Sequence, residues 1–218
     1  MTDWFTGGGI ALACFLIGGI PFGFIAGKIA GIDIREHGSK NIGATNVMRV
    51  LGAKYGLPVF GGDFLKAFLP VWFLKGAALA QVCHGADADS LPPWFIVVCG
   101  LLIVLGHTFC PYLGFKGGKG VASSAGFIGA LLPWALLVCL ALWAAVFYGS
   151  RYVSLASLSA AVALPVAAFA SLRWQDAPRA DLQWYTGLAL FLCFMVIWTH
   201  RANIKRLLAG TENRFAKQ

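Results

Sequence analysis

The sequence predicts an all-α integral membrane protein with about seven transmembrane helices. Of its 218 residues, 59% are hydrophobic and only 12% are charged, and the mean hydropathy is +0.75. An ordinary soluble domain carries about 25% charged residues. Several apolar runs approach the roughly 20 residues that a helix needs to cross the hydrocarbon core of a bilayer. We therefore expect a single transmembrane domain over residues 1–218, without a separate soluble domain.

Apolar runs and helix-breaking residues divide the chain into seven predicted helices. They cover residues 6–29, 57–81, 94–110, 120–131, 133–149, 153–171 and 184–200. The fourth is short for a crossing at about 1.5 Å per residue, and a re-entrant half-helix is the alternative for it. The first is expected to remain in the mature protein, because its positive charges follow the apolar run, whereas those of a signal peptide precede it.

The positions of the basic residues predict the orientation of the chain. Seven crossings from an outside N-terminus place four segments on the cytoplasmic side: 30–56, 111–119, 150–152 and 201–218. Thirteen of the 17 Lys and Arg residues lie in or next to these segments, as the positive-inside rule requires. We therefore expect the C-terminus in the cytoplasm. The net charge of +8 then reflects loops that face anionic lipid, and nucleic acid is not an expected partner.

The remaining reactive residues do not form a metal, disulfide or triad pattern. The six cysteines mostly lie in or beside apolar runs, without a Cys-x-x-Cys pair, and we interpret them as packing residues. No metal or other cofactor is expected. His84 and Asp89 match a His-x4-Asp pattern, in which a carboxylate holds a histidine base. We interpret this match as chance, because it lies in a loop predicted on the side opposite the basic segments.

The segment after the first predicted helix is suited to bind an oxyanion. Residues 38–49 read GSKNIGATNVMR and combine glycines with hydroxyl, amide and guanidinium groups. Such groups donate hydrogen bonds to phosphate, and arginine does so with a fork of N–H donors. The candidate residues are Ser39, Asn41, Thr45, Asn46 and Arg49. The alternative is a capped interfacial helix that begins near Thr45.

A second polar segment, residues 106–122, reads GHTFCPYLGFKGGKGVA before a predicted helix. Glycines let backbone N–H groups approach an anion, and a helix N-terminus adds positive potential. It is not a Walker loop, because glycine follows Lys119 where serine or threonine is required. The candidate residues are His107, Lys116, Gly117, Gly118 and Lys119. The alternatives are a flexible turn whose lysines set the orientation of the chain, and a structural role for His107.

A third polar segment, residues 200–208, reads HRANIKRLL after the last predicted helix. If the helix continues, the i, i+3, i+4 spacing places His200, Asn203 and Ile204 on one face. The alternative is a basic amphipathic tail on anionic lipid.

Asp63 and Lys66 lie three residues apart inside an apolar run, where an ion pair is costly unless it faces protein or water. They are expected either to support the fold or to line the site.

These three segments together resemble the motifs of the bacterial acyl-phosphate:glycerol-3-phosphate acyltransferase (PlsY) family. The matching stretches are Ser39–Arg49, Gly106–Ala122 and His200–Leu208, in family order. The resemblance implies transfer of a fatty acyl group from acyl phosphate to the 1-hydroxyl of glycerol 3-phosphate, which yields lysophosphatidic acid and phosphate. It also implies the first acylation step of phospholipid synthesis, in the bacterial inner membrane, with the active site on the cytoplasmic side.

The motifs and the resemblance together assign roles to individual residues. The expected catalytic residues are Ser39, Arg49, Lys116, His200 and Asn203. The expected substrate-binding residues are Asn41, Thr45, Asn46, His107, Gly117, Gly118 and Lys119. By resemblance, the loop 116–119 serves glycerol 3-phosphate, and Glu212 supports the fold of the tail. A contact with the soluble enzyme that makes acyl phosphate is also expected.

Direct transfer is the expected mechanism, because acyl phosphate already carries a good leaving group and the departing phosphate can accept the proton.

The sequence disfavours two other functions. A transporter or flippase for a phosphorylated lipid would need alternating access, and the sequence contains no visible inverted repeat. A CDP-alcohol phosphotransferase would need several aspartates on one helix to bind metal, but the nine acidic residues are scattered.

Overall fold

Helices and connecting loops make up the whole of the chain that the structure describes. The computed structural model describes residues 4–76 and 91–215. Over these ranges the α-helices are α1 Trp4–Gly19, α2 Phe22–Ile29, α3 Ala44–Leu51, α4 Ala53–Leu74, α5 Pro93–Thr108, α6 Val121–Leu131, α7 Pro133–Ser150, α8 Val153–Trp174, α9 Arg179–Thr199 and α10 Arg201–Leu208. Short 3-10 helices cover Ile34–Glu36 and Pro111–Leu113. The predicted all-α class is confirmed.

Six segments of the described chain are long and apolar enough to cross a membrane. They are Thr6–Ile29, Ala53–Leu74, Pro93–Leu113, Pro133–Ser150, Val153–Trp174 and Arg179–Thr199. Helix α6 is an additional short apolar helix of 11 residues. Its length of about 16 Å, at 1.5 Å per residue, is about half of a hydrocarbon core. The number of crossings, and with it an outside N-terminus and a cytoplasmic C-terminus, stays a prediction.

The first predicted helix, residues 6–29, is interrupted at Ile20 and Pro21 and forms α1 and α2. Proline has no N–H to donate, so it cannot extend the hydrogen-bond ladder of α1. At this break the Ile20 carbonyl accepts a bond of 3.2 Å from the N–H of Phe22. The sequence prediction of one continuous helix is therefore corrected to two helices within one apolar span.

The second predicted helix, residues 57–81, begins earlier than expected, because α4 starts at Ala53. Helix α4 also ends earlier than predicted, at Leu74, with its C-cap at Lys75. The predicted end at residue 81 lies outside the described residues. The same is true of Cys83 and of the His84–Asp89 pattern. The helix predicted for residues 120–131 is present as α6, and α7 begins at the expected Pro133.

The chain forms two compact units, of which the first is Met1–Leu131. Within this unit α1 packs closely along α5. A Cβ atom at Gly18 would lie 2.1 Å from the Ile103 carbonyl oxygen, and one at Gly106 would lie 2.1 Å from the Phe15 carbonyl oxygen. Small residues that allow such close backbone contact are typical of membrane helix pairs. The end of α5, where the second polar segment begins, is thus held against α1.

The second compact unit is Leu132–Gln218, in which α8 packs against both α7 and α9. After α10 the chain turns back toward the connection between α7 and α8. There the N–H of Phe215 donates to the Arg151 carbonyl oxygen at 3.0 Å. The return places the tail beside the start of α8. A single transmembrane domain over the whole chain stays a prediction.

Candidate active site

The first polar segment is folded around the side chain of Asn46, which is only 1% exposed. Its Oδ1 accepts a hydrogen bond of 2.7 Å from the N–H of Ser39. Its Nδ2 lies 2.8, 3.0 and 3.3 Å from the carbonyl oxygens of Asn41, His37 and Ile34. Asn46 was predicted to bind substrate, but both polar atoms of its side chain contact the backbone of its own loop.

The side chain of Asn46 leaves no room for a side chain at Gly38. The φ angle of Gly38 is +58°, and a Cβ atom there would lie 2.4 Å from Asn46 Oδ1. Further along the loop, Asn41 Oδ1 accepts a hydrogen bond of 2.8 Å from the N–H of Gly43, immediately before α3. The side chain of Ser39 is exposed between these two turns. Internal polar contacts thus shape the loop and present Ser39 at its surface.

An apolar cluster lies beneath this loop and ties it to α2, α3 and α4. Its buried members are Ala26, Ile34, Ile42, Val47 and Val59. The interfacial helix considered from sequence is present as α3, which carries Thr45 in its first turn and Arg49 one turn later. Arg49 is exposed and Thr45 is half-buried. The first segment therefore presents a hydroxyl group and a guanidinium group on a helix anchored to the core of the first unit.

The second polar segment folds back onto the end of α5. The N–H of Gly117 donates to the Thr108 carbonyl oxygen at 3.1 Å, and that of Gly118 donates to the His107 carbonyl oxygen at 3.0 Å. The last carbonyls of a helix lack partners within the helix, and here the loop supplies them. These two N–H groups, expected to face a phosphate, are therefore used inside the protein.

The close contact between loop and helix explains why residue 118 is glycine. A Cβ atom at Gly118 would lie 2.1 Å from His107 Nε2, which is closer than any side chain can come. Lys116 is exposed and Lys119 is half-buried. Helix α6 begins at Val121, two residues after Lys119. The two ammonium groups and the positive end of α6 thus give this part of the first unit a positive potential.

A buried ionic cluster joins α4 to α5 directly under this loop. Lys66 Nζ lies 2.7 Å from Asp63 Oδ1 and 2.9 Å from His107 Nδ1, and it donates to the Ile20 carbonyl oxygen at 2.8 Å. The exposed fractions of Asp63, Lys66 and His107 are 2%, 6% and 4%. Sequence reasoning found the Asp63–Lys66 pair but missed its contact with His107. The available signal was that a buried ammonium with three donors needs more acceptors than one carboxylate.

The third polar segment belongs to the second unit, and its helix continues as α10 after a cap at His200. His200 is 3% exposed, and its Nδ1 lies 2.8 Å from the Val196 carbonyl oxygen. A carbonyl can only accept, so Nδ1 carries a proton and donates it to this hydrogen bond. Asn203, which is 6% exposed, donates from Nδ2 to Glu212 Oε1 at 2.6 Å.

Glu212 connects this segment to α8 through three hydrogen bonds. Its Oε1 accepts from Asn203 and, at 2.9 Å, from Ser154 Oγ, and its Oε2 accepts from Arg206 Nε at 2.7 Å. Burial alone would raise the pKa of the Glu212 carboxyl, but these bonds outweigh it and hold the pKa below its usual value. Ser154 was not identified from sequence, because one serine in an apolar helix carries no distinguishing pattern.

Replacing Glu212 with glutamine is expected to destabilise the second unit by about 1–3 kcal/mol, because an amide NH₂ group would face other donors. The folded-state pKa lies below the usual 4.5. The carboxylate therefore stabilises the fold above about pH 4.5, and this contribution is lost as the pH falls through the folded-state pKa. Thermal unfolding in detergent should show wild type and E212Q converging on acidification.

The matched control for this change is Glu36→Gln, at an exposed glutamate outside the network. It should unfold like the wild type at every pH. Equal unfolding temperatures for wild type and E212Q at neutral pH would show that the Glu212 network does not stabilise the second unit.

The structure thus brings the first two polar segments into one unit and places the third in the other. Within the first unit, the exposed Ser39, Arg49 and Lys116 belong to segments built on α2–α5. Within the second, Asn203 is tied to Glu212, and His200 lies at the junction of α9 and α10. That all three segments share the cytoplasmic face stays a prediction.

Comparison with known proteins shows one consistent similarity. Residues 9–210 match the family model described as glycerol-3-phosphate acyltransferase. A glycerol-3-phosphate acyltransferase of Aquifex aeolicus is 40% identical over 206 residues, which cover 94% of this chain and 97% of the relative. One from Geobacter metallireducens is 44% identical over 202 residues, covering 92% and 93%.

Two crystal structures show the same similarity in three dimensions. The glycerol 3-phosphate form of PlsY, an integral membrane glycerol 3-phosphate acyltransferase, has a TM-score of 0.79 and 38% identity, covering 97% of this chain and 96% of that one. The lysophosphatidic acid form has a TM-score of 0.77 at the same identity and coverage. The residues matched by the family model, 9–210, include all three polar segments.

Proposed function

The chain belongs to the glycerol-3-phosphate acyltransferase family, and from this premise we propose that it transfers a fatty acyl group from acyl phosphate to the 1-hydroxyl of glycerol 3-phosphate. The products are lysophosphatidic acid and inorganic phosphate. The observation that carries the proposal is the cationic loop of Lys116 and Lys119 beside the start of α6, on a chain that matches PlsY over 97% of its length. The proposed location is the inner membrane of a bacterium, with the site on the cytoplasmic side.

Binding of two phosphate-bearing substrates is the main task of the proposed site. Lys116 and Lys119 hold the phosphate of glycerol 3-phosphate, aided by the positive end of α6. Ser39 and Arg49, both exposed, contact the reacting phosphate and carbonyl groups, because a hydroxyl and a guanidinium donate to such oxygens. Asn46 acts as a positioning residue, since its polar atoms shape the loop that presents Ser39.

The proposed reaction is a direct displacement at the acyl carbonyl carbon. The 1-hydroxyl oxygen of glycerol 3-phosphate attacks this carbon, an ester bond forms, and the bond from the carbon to the phosphate oxygen breaks. The hydroxyl proton passes to the departing phosphate, so no protein base is required. The protein contributes alignment of the two substrates and donors for the growing negative charge. A soluble enzyme that makes acyl phosphate is the proposed source of the donor.

The third segment contributes His200 and Asn203 to the proposed catalytic residues. His200 donates from Nδ1 to the Val196 carbonyl oxygen at 2.8 Å, which fixes the orientation of its ring. Asn203 donates a hydrogen bond from its amide to Glu212, and this bond fixes the position of its side chain in the same segment. These roles rest on the chemistry of each side chain in the second unit.

The test is an assay of the purified protein in detergent with labelled acyl phosphate, acyl-CoA and acyl carrier protein as separate donors. Release of phosphate and formation of labelled lysophosphatidic acid should require both acyl phosphate and glycerol 3-phosphate. A transporter would show no turnover. Efficient use of either thioester without use of acyl phosphate would contradict the proposed donor.

The same labelled donor, supplied without glycerol 3-phosphate, tests the direct mechanism. No label should remain on the protein after denaturation. Label that is retained by the wild type and lost in Ser39→Ala would instead identify an acyl-enzyme intermediate on Ser39. That outcome would leave the acyltransferase assignment intact and overturn direct transfer.

A further inference from the structure

We infer that Asp63 and Lys66 are positioning residues that act through His107 to set the shape of the loop 116–119 for glycerol 3-phosphate. The inference deepens the proposed function and rests on it. Neither side chain belongs to a polar loop, since both lie in the middle of α4 and are buried. Their contacts lead directly to the loop through a series of short hydrogen bonds.

The first step is the set of acceptors around Lys66. Its ammonium has three N–H donors and no acceptor. Three acceptors lie within 2.9 Å of Nζ: Asp63 Oδ1, His107 Nδ1 and the Ile20 carbonyl oxygen. His107 Nδ1 also lies 3.4 Å from Asp63 Oδ1, so the ring contacts both members of the ion pair. Asp63 and Lys66 together thus fix the position of the His107 ring.

The second step is the contact of His107 with the loop. The Nε2 edge of the ring lies against Gly118, where a Cβ atom would be 2.1 Å away. The carbonyl oxygen of His107 also accepts a hydrogen bond of 3.0 Å from the Gly118 N–H. A displacement of His107 therefore displaces Gly118, and Lys119 is the next residue.

The far side of the loop is tied to the same turn of α4. Ser123, in the first turn of α6 and fully buried, donates from Oγ to the Asp63 carbonyl oxygen at 3.1 Å. The loop is thereby attached at Gly118 through His107 and at Ser123 through the Asp63 backbone. The lysine between these two attachments, Lys119, has its backbone position defined by α4.

A purely structural link between α4 and α5 would not require this arrangement. Two apolar side chains could join these helices without the desolvation penalty of a buried ion pair. The cluster also places its charged group next to the loop proposed to bind the phosphate. These features favour a role in the geometry of binding over a role in helix packing alone.

The experiment compares the wild type with two variants. Calorimetry measures the binding of glycerol 3-phosphate, and the phosphate-release assay measures KM and kcat. Asp63→Leu with Lys66→Met removes both charges together, which avoids a buried unpaired charge and preserves the fold. The double variant should raise the Kd and KM for glycerol 3-phosphate by about ten- to hundredfold. Its KM for the acyl donor should stay near the wild-type value.

Lys66→Arg provides a smaller change that keeps the charge. A guanidinium can pair with Asp63, but it cannot place one nitrogen on all three acceptors. It should fold like the wild type and raise the Kd for glycerol 3-phosphate by a smaller factor than the double variant. Lys54→Met is the matched control, because Lys54 is an exposed lysine at the start of α4, and it should leave the Kd unchanged.

The possible failures are distinguishable. A folded double variant or Lys66→Arg protein that binds glycerol 3-phosphate as the wild type does would overturn the positioning role. The same conclusion follows if kcat falls while the KM for glycerol 3-phosphate is unchanged. Absence of glycerol 3-phosphate binding by the wild type itself would contradict the proposed function, and with it this inference.

Discussion

Replacing Lys119 with methionine is expected to lower kcat/KM for glycerol 3-phosphate by roughly 10- to 100-fold. A hydrogen bond to a charged group is worth about 1.5–3 kcal/mol, and this is the interaction that the substitution removes from the phosphate. Lys119 lies two residues before α6, so its ammonium adds to the positive end of that helix. Most of the loss should appear as a higher KM for glycerol 3-phosphate.

Lys116→Met is expected to act in the same direction, since Lys116 is exposed on the same loop. Lys54→Met is the matched control, because it removes the same charge from an exposed position at the start of α4. Varying glycerol 3-phosphate and acyl phosphate separately distinguishes the two binding steps. Unchanged KM values for glycerol 3-phosphate in both loop variants would remove the phosphate assignment from residues 116–119.

Asn46→Asp is expected to abolish most activity although it is nearly isosteric. The change replaces an NH₂ donor that lies 2.8–3.3 Å from three carbonyl oxygens with a carboxylate oxygen. A buried, unpaired charge costs about 3–5 kcal/mol, and the loop must open to relieve it. We expect kcat/KM to fall by more than about 100-fold, while circular dichroism in detergent retains the helical signal.

Asn213→Asp makes the same chemical change at an exposed position in the tail and serves as the control. It should retain activity close to the wild type. Limited proteolysis between Gly38 and Gly43 measures opening of the loop directly, and cleavage should be faster in N46D. An N46D protein with wild-type activity would show that the loop shape does not depend on this amide.

The helices could be predicted from the sequence, because the apolar runs are long and the helix breakers between them are clear. The exception is the break at Ile20 and Pro21, where hydropathy continues without change across two helices. Pro21 was the available signal, since proline disrupts a helix interior. The early start of α4 at Ala53 could not be read in the same way, because Lys54 and Gly56 interrupt the apolar pattern in its first turn.

The residues of the site were predicted more reliably than their contacts. Asn46 was recognised as a hydrogen-bonding residue, but its partners lie 5 to 12 residues earlier and depend on the fold of the loop. His107 and Lys66 are 41 residues apart and meet only because α4 packs on α5. Ser154 and Glu212 are 58 residues apart. Periodicity reports which residues share a helix face, and it carries no information on such pairings.

The interruption at Pro21 has a consequence for how this chain can diverge. The carbonyl oxygen of Ile20, which in an uninterrupted helix would accept a hydrogen bond from the helix backbone, accepts one from the buried ammonium of Lys66. A mutation that makes this region one continuous helix would remove the Ile20 carbonyl oxygen as an acceptor for Lys66. A mutation that removes the Lys66 ammonium would remove the donor of the same hydrogen bond. Residues 21 and 66, far apart in sequence, are therefore expected to be gained and lost together during evolution.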